Sequence, residues 1–271
     1  MKTRILTAAI LVPALFIIAL ALPKMVAAVI FSILLAIAAY ELLYRTGLVR
    51  HRRLVLYSSV MAFAVTMWSY SEAIHAYLVL GLLAFTFLLF AEMMMDHVKV
   101  RFEMLGMCFF AGAIVPFLLS SLIRILTMYI GRYVIMIPFV VAFLNDSGAY
   151  FVGLKFGKHK LAPVVSPNKT IEGALGGVAT ATAGMLIYAL ILDLIAPQFT
   201  VRYGLATLYG LGGSVVGIFG DLCFSVIKRQ TGIKDYGNLI PGHGGVMDRF
   251  DSLMAVAPLM EVFLLLMPMV V

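Results

Sequence analysis

Three clusters in this chain have the residue types and spacing to do chemistry, and the densest is Ser225–Asp251, SVIKRQTGIKDYGNLIPGHGGVMDRFD. Its 27 positions hold four basic residues, three aspartates and a histidine, in a protein that is 63% hydrophobic. Polar groups left unpaired in hydrocarbon are costly, so mixed charge of this density beside apolar segments points to a multiply charged anion and a metal ion. Asp221, Ser225 and Lys228 are spaced i, i+4 and i+7, which aligns them on one helix face. An Asp221–Lys228 ion pair that only fixes packing is the plainer alternative. Gly242, Gly244 and Gly245 surround His243, where glycines let the backbone approach a ligand and turn N–H groups toward phosphate oxygens. Asp248, Asp251 and Ser252 are expected on one face of the helix that follows; a tight turn with Asp248 as N-cap is the bland reading.

The third cluster runs from Asn145-Asp146-Ser147-Gly148-Ala149-Tyr150 to Ser166-Pro167-Asn168-Lys169-Thr170-Ile171-Glu172-Gly173. Asp146 ends an apolar run, where an unpaired carboxylate is expensive. Ser166–Thr170 is expected to open a helix, with Pro167 in its first turn and Ser166 or Thr170 as cap. A helix N-terminus attracts anions, and Lys169 would add charge there. Taken together, Asp146, Asp221 and Asp248 from different helices suit a hard, oxygen-preferring ion such as Mg²⁺. Cysteine is missing from these stretches and histidine is scarce, which argues against zinc.

The elements that must position these groups are membrane helices. A mean hydropathy of +1.07 and only 12% charged residues are too apolar for a soluble domain. Runs of about 20 apolar residues recur along the whole chain. The fold class is therefore all-α, a polytopic integral membrane protein with about nine spans, near 4–22, 25–44, 54–71, 74–95, 104–124, 130–151, 171–195, 204–227 and 252–271. With the N-terminus in the cytoplasm, 16 of the 20 Lys and Arg residues fall in inner segments and 4 in outer ones. That is a strong positive-inside bias. It places the loops 152–170 and 228–251 at the cytoplasmic face and the C-terminus outside. The net charge of +7 is thus explained by topology and calls for no nucleic acid.

The spans up to about residue 140 are nearly free of polar residues, whereas Asn, Asp, Ser, Thr, Lys and Gly enter from Asn145 onward. One domain, 1–271, with a scaffold half (1–140) and a chemical half (141–271) is the simplest description. Gly210, Gly213, Gly217 and Gly220 form a stripe of the kind that lets helices approach closely, and Asp221 continues it toward the bundle. Cys108 and Cys223 sit in apolar runs and read as small buried hydrophobes. Arg45, Arg50, Arg52 and Arg53 are expected at anionic headgroups. His51, His75, His97 and His159 read as interfacial, and Glu72 and Asp193 as outer-face residues without a chemical role.

The C-terminal residues closely resemble the phosphatidate cytidylyltransferase (CDP-diacylglycerol synthase) family. Its pattern of Ser, two residues, Lys-Arg, four residues, Lys-Asp, then His-Gly-Gly, two residues, Asp-Arg, one residue, Asp is met by Ser225, Lys228, Arg229, Lys234, Asp235, His243, Gly244, Gly245, Asp248, Arg249 and Asp251. The 145–150 and 166–173 stretches also look like the family's upstream blocks. The resemblance implies CMP transfer from CTP to phosphatidate, yielding CDP-diacylglycerol and pyrophosphate, in a Mg²⁺-dependent membrane enzyme, with a homodimer whose contacts are expected in the first half. It implies metal ligation by Asp221 and Asp248, with Asp146 supporting them and one or two ions at the site. Lys169, Lys228 and Arg249 are expected to hold phosphates. Ser166, Thr170, Ser225, Arg229, Lys234, Asp235, His243, Gly244, Gly245 and Asp251 are expected to line the substrates. A phosphomonoester has its second pKa at about 6, so phosphatidate is already a nucleophile and the barrier is repulsion between anions. A CTP-dependent polyprenol or lipid kinase would instead release CDP and a lipid phosphate. A cation-coupled transporter would carry ionisable groups at mid-membrane and on both sides.

Overall fold

In the computed structural model, which describes residues 9–11, 13–71, 75–242 and 244–271, the chain is mostly helical. Helix α1 spans Lys24–Arg45, α2 Arg52–Trp68, α3 His75–Met95, α4 Phe102–Thr127 and α5 Ile137–Phe156. A two-stranded antiparallel ribbon follows, β1 Lys160–Ala162 and β2 Ser166–Thr170, with Lys160 opposite Thr170. Then come α6 Ile171–Ile195, α7 Tyr203–Gln230, the single turn α8 Met247–Phe250 and α9 Leu253–Leu266. Among the described residues six helices are long and apolar enough to cross a membrane. The expected spans at 54–71 and 252–271 contain helices of 17 and 14 residues. The expected span 4–22 lies partly outside the described residues, as do Lys2, Arg4, Glu72, the His75 side chain and His243.

The chain divides into two compact units, one formed by Met1–Tyr129 with Lys228–Phe250 and the other by Ile130–Ile227 with Asp251–Val271. In the first, α1 packs along α2, and α2 in turn on α3 and α4. Hydroxyls buried in these apolar helices are satisfied within their own helix: Ser32 donates to the Ala28 carbonyl (2.7 Å), Ser58 to Leu54 (2.9 Å) and Thr66 to Ala62 (2.7 Å). No orphan hydroxyl is thereby exposed to hydrocarbon. Glu92 is buried but accepts from Tyr57 (3.0 Å) and pairs with Arg53 (3.4 Å). Arg53 therefore has a protein partner as well as the headgroup setting expected of it. Phe87, Met94 and Met95 are exposed on α3, the face hydrocarbon would cover.

In the second unit α5 and α6 run antiparallel in close contact, which glycines permit. A Cβ on Gly176 would strike the Val152 side chain, and one on Gly177 would lie 2.6 Å from the Asn145 carbonyl oxygen. The expected stripe on α7 packs as read: Cβ atoms on Gly213, Gly217 and Gly220 would come within 2.7, 2.9 and 2.9 Å of Val141, Val256 and Ala255. Cys108 is buried, Cys223 is half-buried and both are free thiols. Gly177→Ala is expected to lower the thermal midpoint of the detergent-solubilised protein, since overpacking against backbone costs about 1–3 kcal/mol. Gly81→Ala, with open space around it, should leave the midpoint unchanged or raise it.

Candidate active site

The second unit contains a cleft of about 500 Å³ between α5, the β-ribbon, the start of α6 and α7. Asp146 of α5, Lys160 and Lys169 of the ribbon, and Asp221 of α7 all line it. Lys169 pairs with Asp221, and the two side chains keep 26% and 24% of their surface exposed. The Ser225 hydroxyl donates to the other Asp221 oxygen at 3.3 Å. The pair is half-buried, with Lys169 Nζ itself covered, so opposite charges are held side by side at the wall of the cleft. Asn145 lies at the same cleft, fully buried, and its Oδ1 has no hydrogen-bond partner. A buried amide oxygen without a donor is costly. Asp146 and Asp221 at the cleft are oxygen donors of the kind that a hard divalent ion takes.

The ribbon corrects one expectation. Ser166–Thr170 is a strand, and the helix begins at Ile171 with Thr170 as its cap, accepting from Gly173 N at 3.1 Å. Pro167 lacks an N–H and is tolerated at an edge strand, so its presence did not require a helix start. Ser166 is half-buried on β2, and the hydroxyl of Thr170 serves the cap. Glu172 accepts from the backbone of Lys158 (3.0 Å) and contacts His159 Nδ1 at 2.5 Å, tying the approach to the ribbon onto α6.

A second cluster is built in the first unit. Asp248 is 5% exposed, and both its oxygens are engaged. Oδ1 accepts from Lys228 Nζ at 2.9 Å, while Oδ2 accepts from the backbone of Tyr236 (2.8 Å) and Gly245 (2.9 Å). Lys228 also lies over the Tyr236 ring, 5.2 Å from its centroid. Asp248 thus gathers three separated points of 228–250. The partners come from outside the i, i+7 spacing: Asp221 pairs with Lys169 and Lys228 with Asp248. Gly244 has φ +85°, and a Cβ there would sit 2.7 Å from Asp248 Oδ2, so this turn needs glycine on both counts.

Asp248, Asp251 and Ser252 do not share one continuous helix, because a turn at 251–252 separates α8 from α9. Asp251 is half-buried and accepts from the backbone of Ser252 at 2.8 Å. Arg229, Lys234, Asp235 and Arg249 are exposed. The cations among them, Arg229, Lys234 and Arg249, can face an anionic ligand. His243 lies outside the described residues. Among the described residues, no three His, Cys, Asp or Glu side chains converge into a metal cage. A divalent ion would then rely on one or two carboxylates plus phosphate oxygens, which is how Mg²⁺ is commonly held.

Sequence reasoning missed Glu41. This residue of α1 is buried (3% exposed) and accepts from Met247 N at 2.9 Å. A carboxylate at the end of an apolar span was the available signal. Its partner is more than two hundred residues away, beyond the reach of local pattern.

A sequence model described as the Cytidylyltransferase family matches residues 2–267. The chain is similar to the phosphatidate cytidylyltransferase of Staphylococcus epidermidis, 32% identical over 98% of this chain and 99% of that protein. It is similar to that of Staphylococcus haemolyticus, 36% identical over 69% of each chain. To that of Bacillus subtilis it is 46% identical over 53% of this chain and 51% of the relative.

Proposed function

This chain belongs to the cytidylyltransferase family, and from that membership we infer that it transfers CMP from CTP to phosphatidate, giving CDP-diacylglycerol and pyrophosphate. The structural observation that carries the reading is the Lys169–Asp221 pair set in a cleft with Asp146. The reaction needs opposite charges side by side, because two anions must meet and a third must leave.

A phosphate oxygen of phosphatidate forms a bond to the α-phosphorus of CTP as the bond to the pyrophosphate oxygen breaks. The nucleophile is already ionised, so the protein's work is to hold and neutralise charge. Lys169 and Lys228 contribute fixed positive charge, Arg249 offers a planar fork suited to phosphate, and the backbone at Gly244 and Gly245 shapes the turn beside it. Asp221 and Asp146 are the residues of the cleft that would hold Mg²⁺, which supplies further charge neutralisation when bound. On the strength of the motif Asp248 would be a ligand as Asp221 is, with Asp146 in the supporting role. Ser166, Thr170, Ser225, Arg229, Lys234, Asp235, His243 and Asp251 complete the substrate-binding set.

The charge distribution along the chain supports nine spans with both loops at the cytoplasmic face of the cell membrane. There the lipid substrate reaches the enzyme from the inner leaflet. The halves 1–140 and 141–271 serve as scaffold, with the dimer contacts, and as chemical part.

Full-length protein in mixed micelles with labelled CTP, phosphatidate and Mg²⁺ is expected to yield CDP-diacylglycerol and pyrophosphate in equal amounts. Chelation should stop the reaction and added Mg²⁺ restore it. Release of CDP, or no liponucleotide at all, would refute the assignment. Turnover that survives chelation would remove the metal alone.

A further inference from the structure

We propose that Glu41 is the positioning residue for the loop that carries Asp248, a role that rests on Asp248 serving the reaction as read above. Burying a carboxylate is costly unless its oxygens are engaged, and Glu41 spends its own on this loop. Its Oε2 accepts from Met247 N at 2.9 Å. The two glycines nearest it are glycines for its sake: a Cβ on Gly237 would come within 2.7 Å of the Glu41 carboxyl carbon, and one on Gly245 within 2.5 Å. One turn further along α1, Arg45 donates to Asn238 Oδ1 at 3.2 Å. The segment Glu41–Arg45 is a π-helical turn, a departure from α geometry that is frequent at functional sites.

The held points coincide with the walls of the Asp248 site. Glu41 and Arg45 grip residues 237–238 and 245–247, while the donors to Asp248 Oδ2 are the backbones of Tyr236 and Gly245. Each donor is therefore either held by α1 or adjacent to a residue that is. Without the Glu41 carboxylate the Met247 N–H loses its acceptor, the two glycine strands of the loop lose the group that spaces them, and the Asp248 oxygens lose a fixed direction. Glu41 acts through Asp248 and touches no substrate.

The test uses full-length Glu41→Gln, Glu41→Asp and Glu41→Ala variants in the mixed-micelle assay. It reads kcat, KM for CTP and the Mg²⁺ concentration for half-maximal rate, beside thermal midpoints. Glu41→Gln keeps an acceptor of the same length and is expected to stay within about 5-fold of wild type, whereas Glu41→Ala and the shorter Glu41→Asp should lose about 10- to 100-fold in kcat and need more Mg²⁺. If the alanine variant does not fold, the Gln/Asp contrast carries the test. Wild-type kcat and Mg²⁺ dependence in Glu41→Asp or Glu41→Ala would overturn the proposal, as would a folded Glu41→Gln as impaired as they are. Asp248→Asn run in parallel separates the two levels. An active Asp248→Asn removes the reading of Asp248 itself, whereas an inactive one beside a normal Glu41→Ala overturns only the role of Glu41.

Discussion

Asp221→Asn is expected to lower kcat by about 10³-fold or more, the scale of losing a group that stabilises developing charge, while the protein still folds with only a modest drop in its thermal midpoint. The two halves of that expectation have separate causes. Asp221 is partly exposed, its partners are Lys169 and Ser225, and the asparagine fills the same space, so little packing changes. The pair is half-buried and Lys169 Nζ is covered, so losing the carboxylate charge is expected to lower the midpoint modestly. In the reaction, however, the amide carries no charge and holds a divalent ion far more weakly than a carboxylate does. Steady-state rates over a Mg²⁺ series, beside a thermal melt in detergent, check both halves. Near-normal turnover would take the metal away from Asp221 and leave the family's activity standing.

Asp248→Asn should fail differently, losing stability as well as activity. The carboxylate accepts from Lys228, Tyr236 and Gly245 at once while almost fully buried. An amide offers one accepting oxygen and turns an N–H₂ toward groups that can only donate. Lys228, with 14% of its side chain exposed, loses the Asp248 counter-charge. Removing one partner of such a pair costs about 3–5 kcal/mol. The thermal midpoint is therefore expected to fall clearly, and activity to fall by at least about 10³-fold. Lys228→Met combined with Asp248→Asn should regain part of the lost stability, because no unpaired charge remains, and none of the activity. A single variant as stable as wild type would mean that the 228–250 loop is held chiefly by other contacts, Glu41 foremost among them.

The two variants also show how far local pattern could reach. The i, i+4, i+7 spacing placed Asp221, Ser225 and Lys228 on one helix, and the Ser225–Asp221 bond agrees with it. Spacing says nothing of which distant charge lies closer, and both Asp221 and Lys228 found partners outside the helix. Ser166–Thr170 read as a helix start because proline and hydroxyl residues serve caps and edge strands alike. Pairing with Lys160–Ala162 decided between them. The glycine stripe was legible because small residues at helical spacing have few other uses inside an apolar span.

By its sequence alone this chain is determined to be a membrane protein of apolar helices, with most charged residues of its second half gathered in two loops and a motif that assigns the chemistry. Composition and spacing are properties of the local chain, and the cost of polar groups in hydrocarbon makes them decisive. Only the tertiary structure decided that Lys169 meets Asp221, that Asp248 knots its own loop, and that Glu41 of an early helix fixes that knot. A buried charge is tolerated only where a partner arrives from elsewhere in the fold, and no sequence interval records which partner that is.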